Sequence, residues 1–157
     1  MLARGLATAV VVVVLDQLTK AAILASLAGG AVGGSATITS FFNLALTYNR
    51  GISFGLFNGS AGVNAFAFSV VAAAIVGVLL YWLSRASNSL LAVAIGLIIG
   101  GAVGNVLDRI RLGAVVDFLD FHVGGLHWPA FNLADSAICI GVAAMLLDGL
   151  LLQRQAS

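Results

Sequence analysis

The sequence predicts an all-α membrane protein, with four transmembrane helices and a small extracytoplasmic β-sheet platform. Three observations predict it. Of 157 residues, 61% are hydrophobic and only 8% are charged, against about 25% charged in a soluble globular domain. Four charge-poor apolar runs are each close to the roughly 20 residues that a bilayer span requires. The connectors on one side of those runs are rich in the β-branched and aromatic residues of strands. This composition excludes a water-soluble domain, a disordered tail and a nucleic-acid binder with a basic face. Four spans already take about half of a chain this short, which excludes a large transporter.

The first helix is expected over about residues 6–27. Arg4 ahead of it and Ser26-Leu27-Ala28 at its end resemble a cleavable signal peptide, but Asp16 and Lys20 interrupt its apolar core. A retained span is the better reading. The connector over 37–57 reads as short strands with a turn-prone Asn49-Arg50-Gly51 in the middle. Helices over about 63–83 and 90–107 follow, joined by a tight loop at Arg85–Ser89. Residues 115–127 read as a second strand region turning at Gly124-Gly125, and the last helix covers about 134–152. Residues 1–157 then form one polytopic domain. An even number of spans places both termini on one side, where Arg4, Arg85 and Arg154 point to the cytoplasm.

Alternating span direction brings the polar residues of several segments to the other side. The later half of the first span holds Asp16 and Lys20, the third ends at Asn105, Asp108 and Arg109, and the fourth begins at Asn132 and Asp135. A charge at the bilayer centre costs about 2.5–3.5 kcal/mol on insertion scales, so a concentration at one depth calls for a reason. Asp16 and Lys20 are four residues apart on one helical face; a structural ion pair and a direct chemical role both fit. Gly96, Gly100 and Gly104 form a small-residue stripe for close helix packing. Arg109 suits anchoring of a carboxylate or a lipid phosphate, since its guanidinium cannot act as a base.

Asp117 and Asp135 lie near the water-facing mouth among apolar neighbours. Two carboxylates close together at a shielded site do not both ionise cheaply, and a pair sharing a proton can hydrolyse an amide. Spacing alone also allows Asp135 to be a first-turn residue favoured by the helix dipole, and Asp117 an exposed strand residue. Asp120 and His122 alternate onto the opposite strand face and rank below them. His122 and His127 lack zinc-site spacing and a third ligand, so no metal is expected. Ser residues lack a Gly-x-Ser-x-Gly elbow, and Cys139, alone in an apolar run, reads as a buried core residue.

Four segments in order carry a resemblance: Asp16-Gln17-Leu18-Thr19-Lys20; Tyr48-Asn49-Arg50-Gly51-Ile52-Ser53-Phe54; Gly100 through Arg109 followed by Gly113, Val115, Asp117 and Phe118; and Trp128-Pro129-Ala130-Phe131-Asn132-Leu133-Ala134-Asp135-Ser136. They resemble the motifs of lipoprotein signal peptidase, the bacterial signal peptidase II family. The resemblance implies an aspartyl endopeptidase of the bacterial inner membrane, with cytoplasmic termini and its site at the periplasmic face. It implies cleavage of prolipoproteins on the amino side of a diacylglyceryl-modified cysteine, with Asp117 and Asp135 as the catalytic pair. By the same resemblance Asn49, Asn105, Arg109 and Asn132 bind substrate or support the pair, and Asp16, Lys20 and Asp108 are structural or supporting. Membrane lipid and inhibitors of the globomycin type are the other partners implied, with no cofactor and no nucleic acid. Phe41, Phe54 and Phe57 are expected to give apolar contact on the strand platform.

Two other classes compete. A small transporter or proton-coupled channel would use intramembrane Asp, Lys and Arg as an ion path, but the half near the termini has almost no polar groups. A non-catalytic scaffold leaves Asp117 and Asp135 unexplained. The intramembrane aspartyl proteases with Tyr-Asp and Gly-x-Gly-Asp motifs are set aside, since neither motif occurs.

Overall fold

The computed structural model describes residues 1–28, 34–51 and 61–156. In chain order the elements are α1 (Leu2–Leu27), β1 (Ser35–Thr39), β2 (Phe42–Asn49), α2 (Ala61–Ser84), α3 (Ser89–Leu112), β3 (Val115–Val123), β4 (Leu126–His127) and α4 (Leu133–Ala156). All four helices are long and apolar enough to cross a membrane. Twenty-four residues rise roughly 36 Å at 1.5 Å each, which exceeds a hydrocarbon core of about 30 Å.

The centre of the bundle is α3. Half of its apolar window is buried, against 17%, 11% and 22% for α1, α2 and α4, and it packs against all three. Glycine makes this possible. Gly96, Gly100 and Gly104 face α1, so closely that a Cβ at Gly100 would lie 2.7 Å from the Ala9 carbonyl oxygen. On its other side, Gly101 meets Ala134 of α4, and Gly141 of α4 meets the Ala94 carbonyl. Small residues let membrane helices approach to van der Waals contact where no hydrophobic driving force exists between them. The apolar core then fills with Ala9, Leu79, Leu83, Ala92, Ile95, Ile98 and Ile99.

Beyond the helix ends lies a four-stranded antiparallel sheet in the order β1-β2-β3-β4. It follows the C-termini of α1 and α3, precedes the N-terminus of α4, and packs on α1 and α3. At the opposite end, Arg4 donates to Ser89 Oγ, and Asn88, which caps α3, donates to Asp148 Oδ1 at 2.8 Å. The bundle therefore has two chemically distinct ends.

Three expectations need correction. The hairpin reverses at Ser40-Phe41, where Phe41 N donates to Thr39 Oγ1, and not at Asn49-Gly51. Strand β2 runs on to Asn49 because its ladder with β3 continues to Asn49 and Val115; the Asn-Arg-Gly signal marks where the strand ends. Helix α3 continues five residues past 107, to Leu112, stopping at a left-handed Gly113 (φ 70°), a conformation that glycine adopts without strain. Cys139 is exposed on the outer face of α4, because that helix meets α3 through Ala134, Ile138 and Gly141. The turn at Gly124-Gly125 has positive φ at both residues, as a tight hairpin requires. Phe54 and Phe57 lie outside the described residues, and Phe41 stands exposed at the hairpin tip.

Candidate active site

The polar residues of α1, α3, β3 and α4 form one connected cluster at the sheet end of the bundle. Lys20 joins most of its inner members. An ammonium has three donors and no acceptor, and Lys20 Nζ lies 2.8 Å from Asp16 Oδ2, 2.7 Å from Asp108 Oδ2 and 3.1 Å from Asn105 Oδ1. All four residues are buried. A charge so buried is tolerable only when paired and hydrogen-bonded, and here each proton has its acceptor.

The two carboxylates then tie backbone from other elements into the cluster. Asp16 Oδ1 accepts from Ala134 N at 3.0 Å, so a side chain of α1 satisfies a first-turn amide of α4. Asp108 Oδ2 accepts from Val116 N at 3.2 Å and so fixes the residue before Asp117. Gln17 joins the layer: its Nε2 lies within hydrogen-bond distance of Asp16, Asp108 and the Gly104 carbonyl, while its Oε1 accepts from Arg111 at 3.0 Å.

Two asparagines carry the cluster outward. Asn132 caps α4 reciprocally: its Oδ1 accepts from Asp135 N at 2.9 Å, and its own N–H donates to Asp135 Oδ2 at 3.2 Å, the exchange of a capping box. Asn132 Nδ2 reaches Asp117 Oδ1 at 2.7 Å, Asn105 Oδ1 at 3.1 Å and the Val116 carbonyl at 3.2 Å. Asn105 Nδ2 donates to Asp135 Oδ1 at 2.8 Å. Asp117 and Asp135, from segments 18 residues apart, are thus the two ends of one chain of hydrogen bonds running Asp117–Asn132–Asn105–Asp135.

The acids differ in setting. Asp117 is almost wholly buried, and its carboxyl is pushed up to about 6. Burial is the main cause and the neighbouring Asp135 adds to it, against hydrogen bonds from Asn49 and Asn132 and the Lys20 charge. Asp135 is half-buried in the first turn of α4. Arg109, with Nη1 3.4 Å from the Asn105 carbonyl and its guanidinium 5.4 Å from the centre of the Phe68 ring, contributes positive charge near both acids. Asn49 reaches the site from the exposed end of β2.

The structure therefore brings Asp117, Asp135, Asn105, Asn132, Asp16, Lys20 and Asp108 into direct connection, with Arg109 and Asn49 at the rim. Sequence reasoning gave Gln17 no role of its own; a glutamine within an apolar span was the available signal. Asp120 lies on the other strand face, accepting from Asn43 Nδ2 at 3.0 Å and bonded to His127 Nδ1 at 2.8 Å. His127 first, then Asn43, hold its carboxyl below the usual range. Among the described residues, no group of three His, Cys, Asp or Glu is placed to hold a metal ion. A cavity of about 380 Å³ between Phe41, Phe121, His122, Leu126, His127 and Trp128 lies at the far tip of the sheet, and neither Asp117 nor Asp135 lines it.

The family model described as signal peptidase (SPase) II matches residues 8–151. Lipoprotein signal peptidase of Paraburkholderia phymatum is 47% identical over 150 residues, covering 95% of this chain and 89% of that one. Those of Burkholderia mallei and Burkholderia thailandensis are 46% identical over the same shares. A bacterial membrane enzyme solved by the in meso method at 1.9 Å resolution superposes with a TM-score of 0.81 at 33% identity, covering 93% of this chain and 92% of that chain. A second, solved at 2.3 Å, gives 0.80 at 32% identity over 98% and 91%.

Proposed function

The chain belongs to the signal peptidase II family, and from that premise we propose that it is an aspartyl endopeptidase working through Asp117 and Asp135. It is a membrane peptidase that processes the signal peptides of lipoproteins. The finer reading is cleavage on the amino side of a diacylglyceryl-modified cysteine. The observation that carries the catalytic assignment is the pairing of the two acids at the ends of the Asn132–Asn105 bridge.

The chemistry needs one acid and one base. Asp117, shielded from water, is the member suited to keep a proton. Asp135 accepts from Asn105 Nδ2 and Asn132 N, the pattern of a carboxylate, and is the base. Asp135 takes a proton from water as the oxygen attacks the scissile carbonyl carbon, and Asp117 gives its proton to the carbonyl oxygen. The result is a neutral gem-diol. On collapse, Asp135 returns its proton to the amide nitrogen, Asp117 recovers one from a hydroxyl, and the C–N bond breaks. The products are the carboxyl end of the signal peptide and the free amine of the lipid-bearing cysteine.

The surroundings suit such a substrate. Along β3, Leu119 and Phe121 share the Asp117 side and pair with Leu44 and Phe42 of β2. Phe121 lies between Phe42, whose ring is tilted at 4.7 Å, and Phe131, stacked at 5.9 Å, giving an apolar row leading away from the dyad. The reading places the termini in the cytoplasm, in keeping with Arg4 and Arg85 at that end, and the site at the periplasmic face of the inner membrane.

The test is cleavage of a diacylglyceryl-modified prolipoprotein by purified protein in detergent. Asp117→Asn and Asp135→Asn should each abolish cleavage while leaving the helices folded, and a globomycin-type inhibitor should block the wild type. Cleavage that persists in either variant would move the chemistry elsewhere, and a folded wild type that cleaves nothing would overturn the reading.

A further inference from the structure

Resting on the dyad assignment above, we infer that Lys20 is a positioning residue for Asp135, acting by fixing which way round the Asn105 carboxamide stands. A carboxamide presents an acceptor at one edge and a donor at the other, and its neighbours decide its orientation. Lys20 Nζ commits two protons to Asp16 and Asp108 and turns the third to Asn105 Oδ1 at 3.1 Å. With Oδ1 held inward, Nδ2 necessarily faces Asp135 Oδ1, at 2.8 Å.

The reverse orientation would set an NH₂ against an ammonium and a carbonyl oxygen against the Asp135 carboxyl. Lys20 is 2% exposed and Asn105 8%, so bulk water does not relieve either clash. Asn132 Nδ2 also approaches Asn105 Oδ1, but its two protons are shared with Asp117 Oδ1 and the Val116 carbonyl. Lys20 is therefore the dedicated donor, and Asp16 and Asp108 hold it in place. The charged and polar groups facing Asp135 are Asn105 and Arg109 from α3, Asp117 from β3 and Asn132 from its own cap. Of these, Asn105 is the one whose donor Lys20 controls.

The consequence is a defined coupling. Without Lys20 the carboxamide can turn over, and Asp135 loses the donor that holds its carboxyl in place. Cleavage of the lipid-modified substrate should be compared in the wild type, Lys20→Met, Asn105→Ala and the double variant. Lys20→Met should lower kcat about tenfold or more with KM nearly unchanged, since a donor to the reacting carboxyl is lost and not a substrate contact. The double variant should be no worse than Asn105→Ala alone, because residues acting through one another are not additive.

Losses that multiply, or a Lys20→Met defect that appears in KM and not in kcat, would overturn the inference. Lys20→Met leaves two buried carboxylates without their cation, so Lys20→Met/Asp108→Asn, which keeps the net charge of the cluster, provides a second background with the same expectations. Cleavage that survives Asp135→Asn would overturn both this inference and the dyad itself. An inactive Asp135→Asn with multiplying Lys20 and Asn105 losses would overturn this inference alone.

Discussion

At the end of the bundle that carries the N-terminus, α1, α2 and α3 meet through Ala9, Leu79, Leu83, Ala92 and Ile95. At the sheet end, α1 and α3 meet through Asp16, Gln17, Lys20, Asn105 and Asp108. In the first region each contact is worth little and many share the load. In the second, each buried donor has a few named acceptors, and removing one partner leaves the other unsatisfied in a poorly solvated place. The apolar end is a fastening, tolerant of exchange among residues of like volume. The polar end is a specification, with geometry passed from side chain to side chain until it reaches two carboxyl groups.

The sharpest way to break this comparison is at the dyad. Asp117→Asn and Asp135→Asn should reduce cleavage by about 10²–10⁴-fold, the range for loss of a general acid or base, with little change in thermal unfolding in detergent. Unfolding that collapses with activity would make the two regions alike. Asp16→Ala comes next. It removes a partner of Lys20 and uncaps Ala134 N, and should cost about 3–5 kcal/mol of stability, read as a fall in unfolding temperature and folded yield.

At the apolar end, Gly100→Val places a Cβ 2.7 Å from both Ala9 O and Val12 Cβ. Such overpacking should cost about 1–3 kcal/mol, while the protein that still folds keeps the pH profile of the wild type. That profile provides a further test. The Asp117 proton is present below about 6 and lost above it, so kcat/KM should fall on the alkaline side by up to about tenfold per unit. Rates flat from pH 5 to 8 would remove Asp117 as the acid. The smallest effect is expected at Gly77, which has nothing within 4 Å; Gly77→Ala should leave unfolding and cleavage nearly unchanged.

The division between the two ends was legible in the sequence, because span direction alternates and charged residues are scarce. The α1–α3 approach was readable too: glycines at 96, 100 and 104 serve little else inside a span. The connections within the cluster were not. Helical spacing relates Asp16 to Lys20, but no local rule relates Lys20 to Asn105, 85 residues away, or assigns Gln17 to Asp108. The Asn132–Asp135 spacing signals a helix cap, and the sequence reading weighed Asp135 as a first-turn residue or as one of a pair of acids without foreseeing that the cap also joins it to the Asn105 bridge. The hairpin at Ser40-Phe41 was missed because β3 pairing outweighs the turn preference of Asn49-Arg50-Gly51. Cys139 was misread because an apolar run does not reveal which side of a helix meets lipid.

The capping box around Asp135 has a bearing on inhibitor design. Its Oδ2 is engaged by the amide of Asn132 and its Oδ1 by the Asn105 carboxamide, so the carboxyl cannot rotate without giving up both bonds and half of the capping box. On the proposed dyad, a ligand would meet this acid in the rotamer it already holds. Rigid scaffolds that present a hydroxyl at a fixed angle should therefore lose little entropy on binding, whereas flexible peptidomimetics relying on mutual adjustment should gain little from added hydrogen bonds at this group. Escape by re-angling Asp135 is also closed, because a substitution that moves the acid also disturbs the start of the helix that carries it.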